Sequence, residues 1–196
     1  MEVSLGVSAV ALLLSGWTFY KVHFERPRIR VFFGDSIDIV KHSDGNITSI
    51  QLACTFCNLG SRTGIIDKLV VWVEKAGARS LFNWQMFCAY DQGHRSVPVA
   101  KVHSIQASGK ASAFQLIQFH SDLSVAWDVG AYTVIFEGWF NGRLCEQNPN
   151  IVEKFSVTLS QGFIADLIRT GDNSGPMLRT VMIDGRTVRA GTQNDA

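Results

Sequence analysis

Four cysteines and five histidines are the side chains best suited to chemistry in this chain of 196 residues. Cys54-Thr-Phe-Cys57 has the C-x-x-C spacing of redox and metal-binding pairs. The residues around it alternate in polarity as a β-strand does, and positions three apart on a strand point to opposite faces. Cys88 and Cys145 stand alone, so no second pair completes a zinc-like set. The thiols therefore read as free and wholly or partly buried, and neither a metal nor a cofactor is expected. His23, His42, His94, His103 and His120 are scattered without ligand spacing. His94 and His103 share one stretch with Asp91 and Ser96, which keeps a minor hydrolytic enzyme among the alternatives. Its discriminator is whether His94, His103 or His120 reaches a Ser or Cys. No nucleophile elbow, phosphate-binding loop or dinucleotide fingerprint occurs, and no catalytic residue is nominated. Gly60-Ser-Arg-Thr-Gly64, with Arg62, has the makings of an anion cradle, but an interstrand turn explains it more simply. Asn46-Ile-Thr48 matters as a sequon only outside the cytoplasm of a eukaryote.

The formal net charge is +1, which gives no field for nucleic acid or acidic ligands, so no nucleic-acid partner is expected. Hydrophobic residues make up 46% and charged residues 18%, against a usual charged share of about 25%. Much of that excess lies in residues 3–20, which carry no charge. As a helix they would be about 27 Å long, near the lower limit for crossing a bilayer. Trp17, Phe19 and Tyr20 cluster at one end, followed by Lys21, His23, Arg26, Arg28 and Arg30. Ser4, Gly6 and Ser8 are small enough for close helix approach. A cleaved signal would want positive charge before the run and a small-residue site after it, and neither is present. A buried helix of a globular domain is the remaining alternative. The segment reads as a single-pass transmembrane anchor with membrane lipid as its partner. The positive flank places the following domain in the cytoplasm, with an extracytoplasmic domain as the alternative.

After Pro27 the pattern changes to short alternating segments divided by turn residues, as in an all-β sandwich. Strands are expected at 28–33, 37–41, about 50–57, 65–74, 81–90, 114–120, 131–140 and 152–159. In the third, Ile50, Leu52, Cys54 and Phe56 share a face. Residues 91–104 read as irregular. Ser160 is placed to cap a helix over 161–169, whose Phe163, Ile164, Leu167 and Ile168 form an apolar stripe. Residues 171–196 read as a linker and a possible hairpin, with 178–183 and 186–189 flanking Asp184-Gly185.

Asp128-Val-Gly-Ala-Tyr132 resembles the stretch that introduces the penultimate strand of immunoglobulin-like domains, where the Tyr hydroxyl fastens a corner. The resemblance casts Asp128, Gly130 and Tyr132 as a structural corner. Trp72 stands for the family's core Trp, and Cys54 or Cys57 for its early-strand Cys. Val134 occupies the place of the second Cys, so the family disulfide cannot form there. The plan is also similar to membrane-anchored bacterial proteins with an immunoglobulin-like or fibronectin-like domain. In those, an Asn-x-Gly such as Asn58-Leu-Gly60 ends an early strand and a Gly-x-Tyr opens a late one. Copper chaperones of oxidase assembly share the helix-plus-domain plan, but their C-x-C motif is absent here.

These readings combine into an immunoglobulin-like antiparallel β-sandwich over 28–159, an anchor at 3–20, a short helix at 160–170 packed on the sandwich, and a tail at 171–196. The expected function is a non-enzymatic binding or assembly module with a protein partner. Its alternatives are an extracytoplasmic metal-handling or redox domain and a minor hydrolase. Phe82, Trp84 and Phe87, with Arg62, are the candidate partner-binding residues.

Overall fold

The computed structural model describes residues 2–42, 46–90, 96–140, 148–169 and 177–184. Helix α1 spans Glu2–His23 and leads into an antiparallel β-domain. Its strands are β1 (Ile29–Lys41), β2 (Ser49–Asn58), β3 (Gly64–Lys75), β4 (Ala78–Tyr90), β5 (Ser96–Lys101) and β6 (Ile105–Ala107). They continue as β7 (Ser112–His120), β8 (Gly130–Phe140), β9 (Ile151–Leu159) and, after helix α2 (Gln161–Arg169), β10 (Met177–Asp184). The hydrogen-bonded order is β5-β4-β7-β2-β1-β10-β9-β8-β3-β6, and β4 also pairs with β3. That last pairing returns the sheet to itself, so β4-β7-β2-β1-β10-β9-β8-β3 is a closed barrel of eight strands with β5 and β6 as additions.

This corrects the immunoglobulin-like sandwich, and two elements account for the difference. A sandwich needs two sheets whose edges do not meet. Here the segment 177–184, read from sequence as half of a separate hairpin, inserts between β1 and β9 and joins them. The other seam is closed by the length of β4. Its first half pairs with β3 from Lys75↔Ala78 to Val70↔Asn83, and the continuation pairs with β7 from Asn83↔His120 to Cys88↔Leu116. Bulges between Trp84 and Met86 and between Phe87 and Cys88 let one strand bend from one neighbour to the next. The two strands expected at 28–33 and 37–41 are one, with a break in register between Phe33 and Ile37. The second arm of the hairpin, 186–189, lies outside the described residues.

Eight strands enclose a space that side chains can just fill. Phe56, Phe82, Phe119 and Phe136 are fully buried there, among Ile37, Ile39, Ile50, Leu52 and Ile117. Phe33 lies between Phe136 and Phe155, with ring centroids 5.0 and 5.1 Å away. Trp72 is not a core Trp. Its neighbours Val71 and Val73 point inward, while its own indole faces out, donates to Glu137 at 2.9 Å and stacks under Arg79. At one end of the barrel α2 contributes Ile164 and Leu167 to the core. The Ser160 hydroxyl accepts the Phe163 amide at 3.2 Å, capping the helix. The buried Lys41 ammonium donates to the carbonyls of Leu167 and Ile168, where a cation suits a helix C-terminus.

The single-pass anchor is also corrected. Among the described residues no helix is long and apolar enough to cross a membrane. Helix α1 is interrupted by Ser8, Ser15, Gly16 and Thr18 and carries Lys21 and His23 in its last turn. Length and freedom from charge favoured a span, whereas the small and hydroxylated residues dilute the transfer free energy that a span requires. The cytoplasmic and extracytoplasmic placements both rested on that span and fall with it.

Ala76 and Gly77 form the two-residue connection between β3 and β4, both with positive φ (49° and 84°). That is the geometry of a type I′ hairpin, which Asn-Gly suits better than Ala-Gly. Ala76→Asn is expected to stabilise the protein by about 0.5–1 kcal/mol by relieving the left-handed alanine. Urea denaturation would show it as a higher midpoint at unchanged slope.

Candidate functional site

The end of β2 and the loop after it hold the base of α1. Asn58 is 1% exposed and its side chain is fully used. The Oδ1 atom accepts the amides of Arg28 (3.1 Å) and Gly60 (3.0 Å), and Nδ2 donates to the carbonyls of Arg62 (2.7 Å) and Ala107 (3.0 Å). One amide therefore ties together the start of β1, the loop after β2 and β6. The loop then grips the chain leaving α1: the Ser61 hydroxyl donates to the Lys21 carbonyl at 2.8 Å, and the Arg62 amide donates to the Glu25 carbonyl at 3.3 Å. Gly60 lies so close to this segment that a Cβ on it would sit 2.1 Å from the Arg26 carbonyl oxygen. Glu25 adds ion pairs with Arg28 (2.6 Å) and Lys21 (3.6 Å).

Beyond this clamp α1 leaves the barrel. Every large apolar side chain of α1 from Val7 to Val22 is between 47 and 76% exposed. A collar of rings marks its base: Lys21 lies over Trp17 at 5.6 Å, Phe19 against His23 at 4.6 Å, and Tyr20 stacks on Phe24 at 6.2 Å. No polar face divides the helix, and this exposed apolar surface is the candidate site.

The four residues nominated from sequence do not form a patch. Phe82 is wholly inside the barrel, Phe87 is buried, and Trp84 is half-buried with its ring edge-on to Phe87 at 5.3 Å. Arg62 belongs to the α1 clamp through its backbone. The corner residues do come together. The Tyr132 hydroxyl accepts the Asp128 amide at 2.9 Å, and its proton lies between the Asp128 Oδ1 (2.6 Å) and carbonyl (3.1 Å) oxygens. Lys75 pairs with the Asp128 carboxylate, donates to the Val129 carbonyl at 2.7 Å and lies 4.8 Å over the Tyr132 ring. Gly130 provides the turn at a φ of 134°.

Cys54 points into the barrel and Cys57 outward, so the two sulfurs of the C-x-x-C diverge; both are free, as is Cys88. Burial pushes the thiols of Cys54 and Cys88 up, which leaves them weak nucleophiles. Among the described residues no group of three or more His, Cys, Asp or Glu is placed to hold a metal ion. Cys145 and His94 lie outside the described residues. His103 rests on the Phe87 ring, 4.6 Å between centroids.

His120 does reach a serine. Its Nδ1 is 3.0 Å from the Ser49 hydroxyl, and His42 Nε2 lies 2.9 Å from the same oxygen. Ser49 is 0% exposed, however, so no substrate carbonyl can approach it, and its hydroxyl bridges the ends of β1, β2 and β7. A second polar set lies on the outer face of the barrel, with Asp38, Gln51 and Gln118 buried beside the exposed Tyr90 and Thr180. The Asp38 carboxylate accepts from Tyr90 (2.9 Å) and Thr180 (2.6 Å), while Gln51 donates to Gln118 (3.0 Å). Burial, and then the bond and charge of Asp38, push the Tyr90 hydroxyl up to about 12. Sequence reasoning missed this set because Asp38, Gln51 and Gln118 meet only through strand order, and their alternation looks like that of any solvent-facing row.

Neither protein-family models nor curated proteins match this chain.

Two outcomes follow. Asn58→Ala removes two acceptor bonds and two donor bonds at a buried position, and is expected to cost about 2–4 kcal/mol in chemical denaturation. The Asp128 carboxyl is held below its ordinary value by its hydrogen bonds from Lys75 and then Tyr132. A depressed carboxyl stabilises the fold above its unfolded value and loses that contribution as pH falls through the folded one. Acid titration below about pH 4 should therefore loosen the corner, and Tyr132→Phe should reduce this acid-dependent part of the unfolding curve.

Proposed function

We propose that the protein is a non-enzymatic assembly module in which a closed barrel presents α1 for packing against the α1 helices of further copies. The observation that supports this most is the helix itself: without a polar face, exposed along its length, and fastened at its base by hydrogen bonds from the loop after β2. A helix with no polar face is ordinarily covered on all sides. The side chains from Val7 to Val22 expose on the order of 800 Å², about what one partner contributes to a standard interface. Gly6 and Gly16 have nothing within 4 Å of where a Cβ would stand, so a neighbouring helix can approach closely at both points. The same chemistry on each copy needs no charge complementarity, which α1 lacks between Gly6 and Tyr20.

The metal or redox alternative finds its sulfurs on opposite faces of β2. The hydrolytic alternative has a Ser–His contact, but at a serine sealed from solvent.

Sedimentation of the full chain over a concentration series tests the proposal, with Leu13→Glu as the variant. Leu13 touches nothing in the barrel core, so the variant should unfold at the same denaturant midpoint. The wild type should form a discrete oligomer, and the variant should need at least about tenfold higher concentration to do so. Equal masses for the two proteins would overturn the reading. So would a wild type that stays monomeric yet floats with phosphatidylcholine vesicles, since lipid would then be what covers the helix.

A further inference from the structure

We infer that the outer face of β1, β2 and β7, at the end where α1 leaves the barrel, binds single-stranded nucleic acid by ring stacking and phosphate contacts. This stands apart from the helix packing above, and none of the side chains that carry it lies on the apolar stretch of α1.

Register places two rings on one surface. Phe32 pairs with Thr55, and Thr55 pairs with Phe114 across the next ladder. Side chains paired in register point the same way, and Phe56 beside Thr55 is wholly buried, so this row faces outward. Phe32 is 44% exposed and Phe114 is 64% exposed. Their backbones stand roughly 10 Å apart, two strand spacings, with the small Thr55 as a floor between them. Large rings set together on a sheet face in water mark a contact surface. Arg30, Cys57 and Ser112 form the next row on this face, about 7 Å along the strands from the rings, and Arg30 is exposed.

Cations gather just beyond. Arg28 precedes β1, Arg62 follows β2 and Lys110 precedes β7, and all three are exposed. Their backbones are held together: the Leu59 amide donates to the Arg28 carbonyl at 2.8 Å, and the Lys110 amide to the Gly60 carbonyl at 2.9 Å. Lys21, Arg26 and Arg30 bring the cations at this end to six. Glu25 pairs with Arg28 and Lys21, and Glu153 interacts with Arg30. Six cations less these two acids leave +4 at this end, in a chain whose total is +1. The whole-chain balance, which gave no reason to expect nucleic acid, averages over a local positive field.

Rings and cations together select the partner. Bases stack on aromatic side chains whatever their identity, and a cation along the same face meets the phosphate of a stacked nucleotide. Thr55, Cys57 and Ser112 carry no amide or carboxylate to read base edges, so little sequence preference is expected. A duplex keeps its base faces covered, and an acidic polypeptide would use the cations and leave the rings idle.

The test titrates the full-length protein into a fluorescent oligothymidylate of about ten nucleotides at about 50 mM salt and reads anisotropy. Saturable binding that weakens steeply with salt is expected. Phe32→Ala and Phe114→Ala should each weaken it by about tenfold at an unchanged denaturant midpoint, because both rings stand in solvent. Arg30→Gln should lower the salt slope by about one. Leu13→Glu should bind as the wild type does; loss there would place the contact on α1 and overturn the inference, whatever becomes of helix packing. No binding at about 100 μM protein overturns it too. So does binding that both Phe variants leave unchanged, or that polyglutamate displaces as well as unlabelled oligonucleotide does, since charge alone would then be read.

Discussion

One buried amide sets how this molecule presents itself. The Asn58 side chain accepts from the start of β1 and from its own loop, and donates to that loop and to β6. An amide is the one neutral side chain with both a forked acceptor and a pair of donors, so no aliphatic, hydroxyl or carboxylate side chain meets all four demands. Gly60 follows two residues later because the returning chain at Arg26 occupies the space of a Cβ. Between them, these residues fix where α1 leaves the barrel. The exposed apolar helix is thus held against a rigid rim and does not trail from a loose end.

Barrel closure is the second constraint, and it rests on two different solutions. At the β3–β4 seam, a tight hairpin and a long, bulged β4 make continuous contact with β3 and then β7. At the β9–β10–β1 seam, closure comes from a strand far away in sequence that lies between β1 and β9. The interior packs equally well against both, since Phe136, Phe119 and Phe56 fill the space whichever strand covers them.

The strand pattern was readable from sequence to a large extent. Ile50, Leu52, Cys54 and Phe56 alternate, and all four face the interior. Strand order was not readable, because alternation reports which face is buried and leaves open which neighbour lies alongside. A sandwich and a closed barrel of eight strands demand the same inward residues. The difference lay in Leu178–Ile183 bridging β1 and β9, and in β4 running on past β3, and neither leaves a local signature. The same limit explains the nominated patch. Phe82, Trp84 and Phe87 belong to a strand whose two halves face different neighbours, so Phe82 and Phe87 are buried and Trp84 is half-buried against them. For α1, length and lack of charge were legible, while the dilution by Ser, Gly and Thr decides whether a helix can cross a bilayer.

The chemistry that sequence spacing suggested is disarmed by the fold in a consistent way. The C-x-x-C is split because a strand turns alternate residues apart. Ser49 and His120 do meet, but at a position where two imidazoles and a wholly buried hydroxyl satisfy one another at the ends of three strands. Asp38, which looks like a solvent-facing residue in the sequence, is buried and accepts a hydrogen bond from the half-exposed Tyr90. In each case a reactive group has been used as a structural polar contact, because a buried hydroxyl, thiol or carboxylate must find partners or destabilise the barrel. The surface left with unmet demands is of the opposite kind. Apolar side chains from Val7 to Val22 are exposed, with contacts confined to the rings at the base of α1, and burying such surface is favourable. Buried polar groups are thus mostly spent on internal contacts, while the large apolar side chains of α1 from Val7 to Val22 remain exposed.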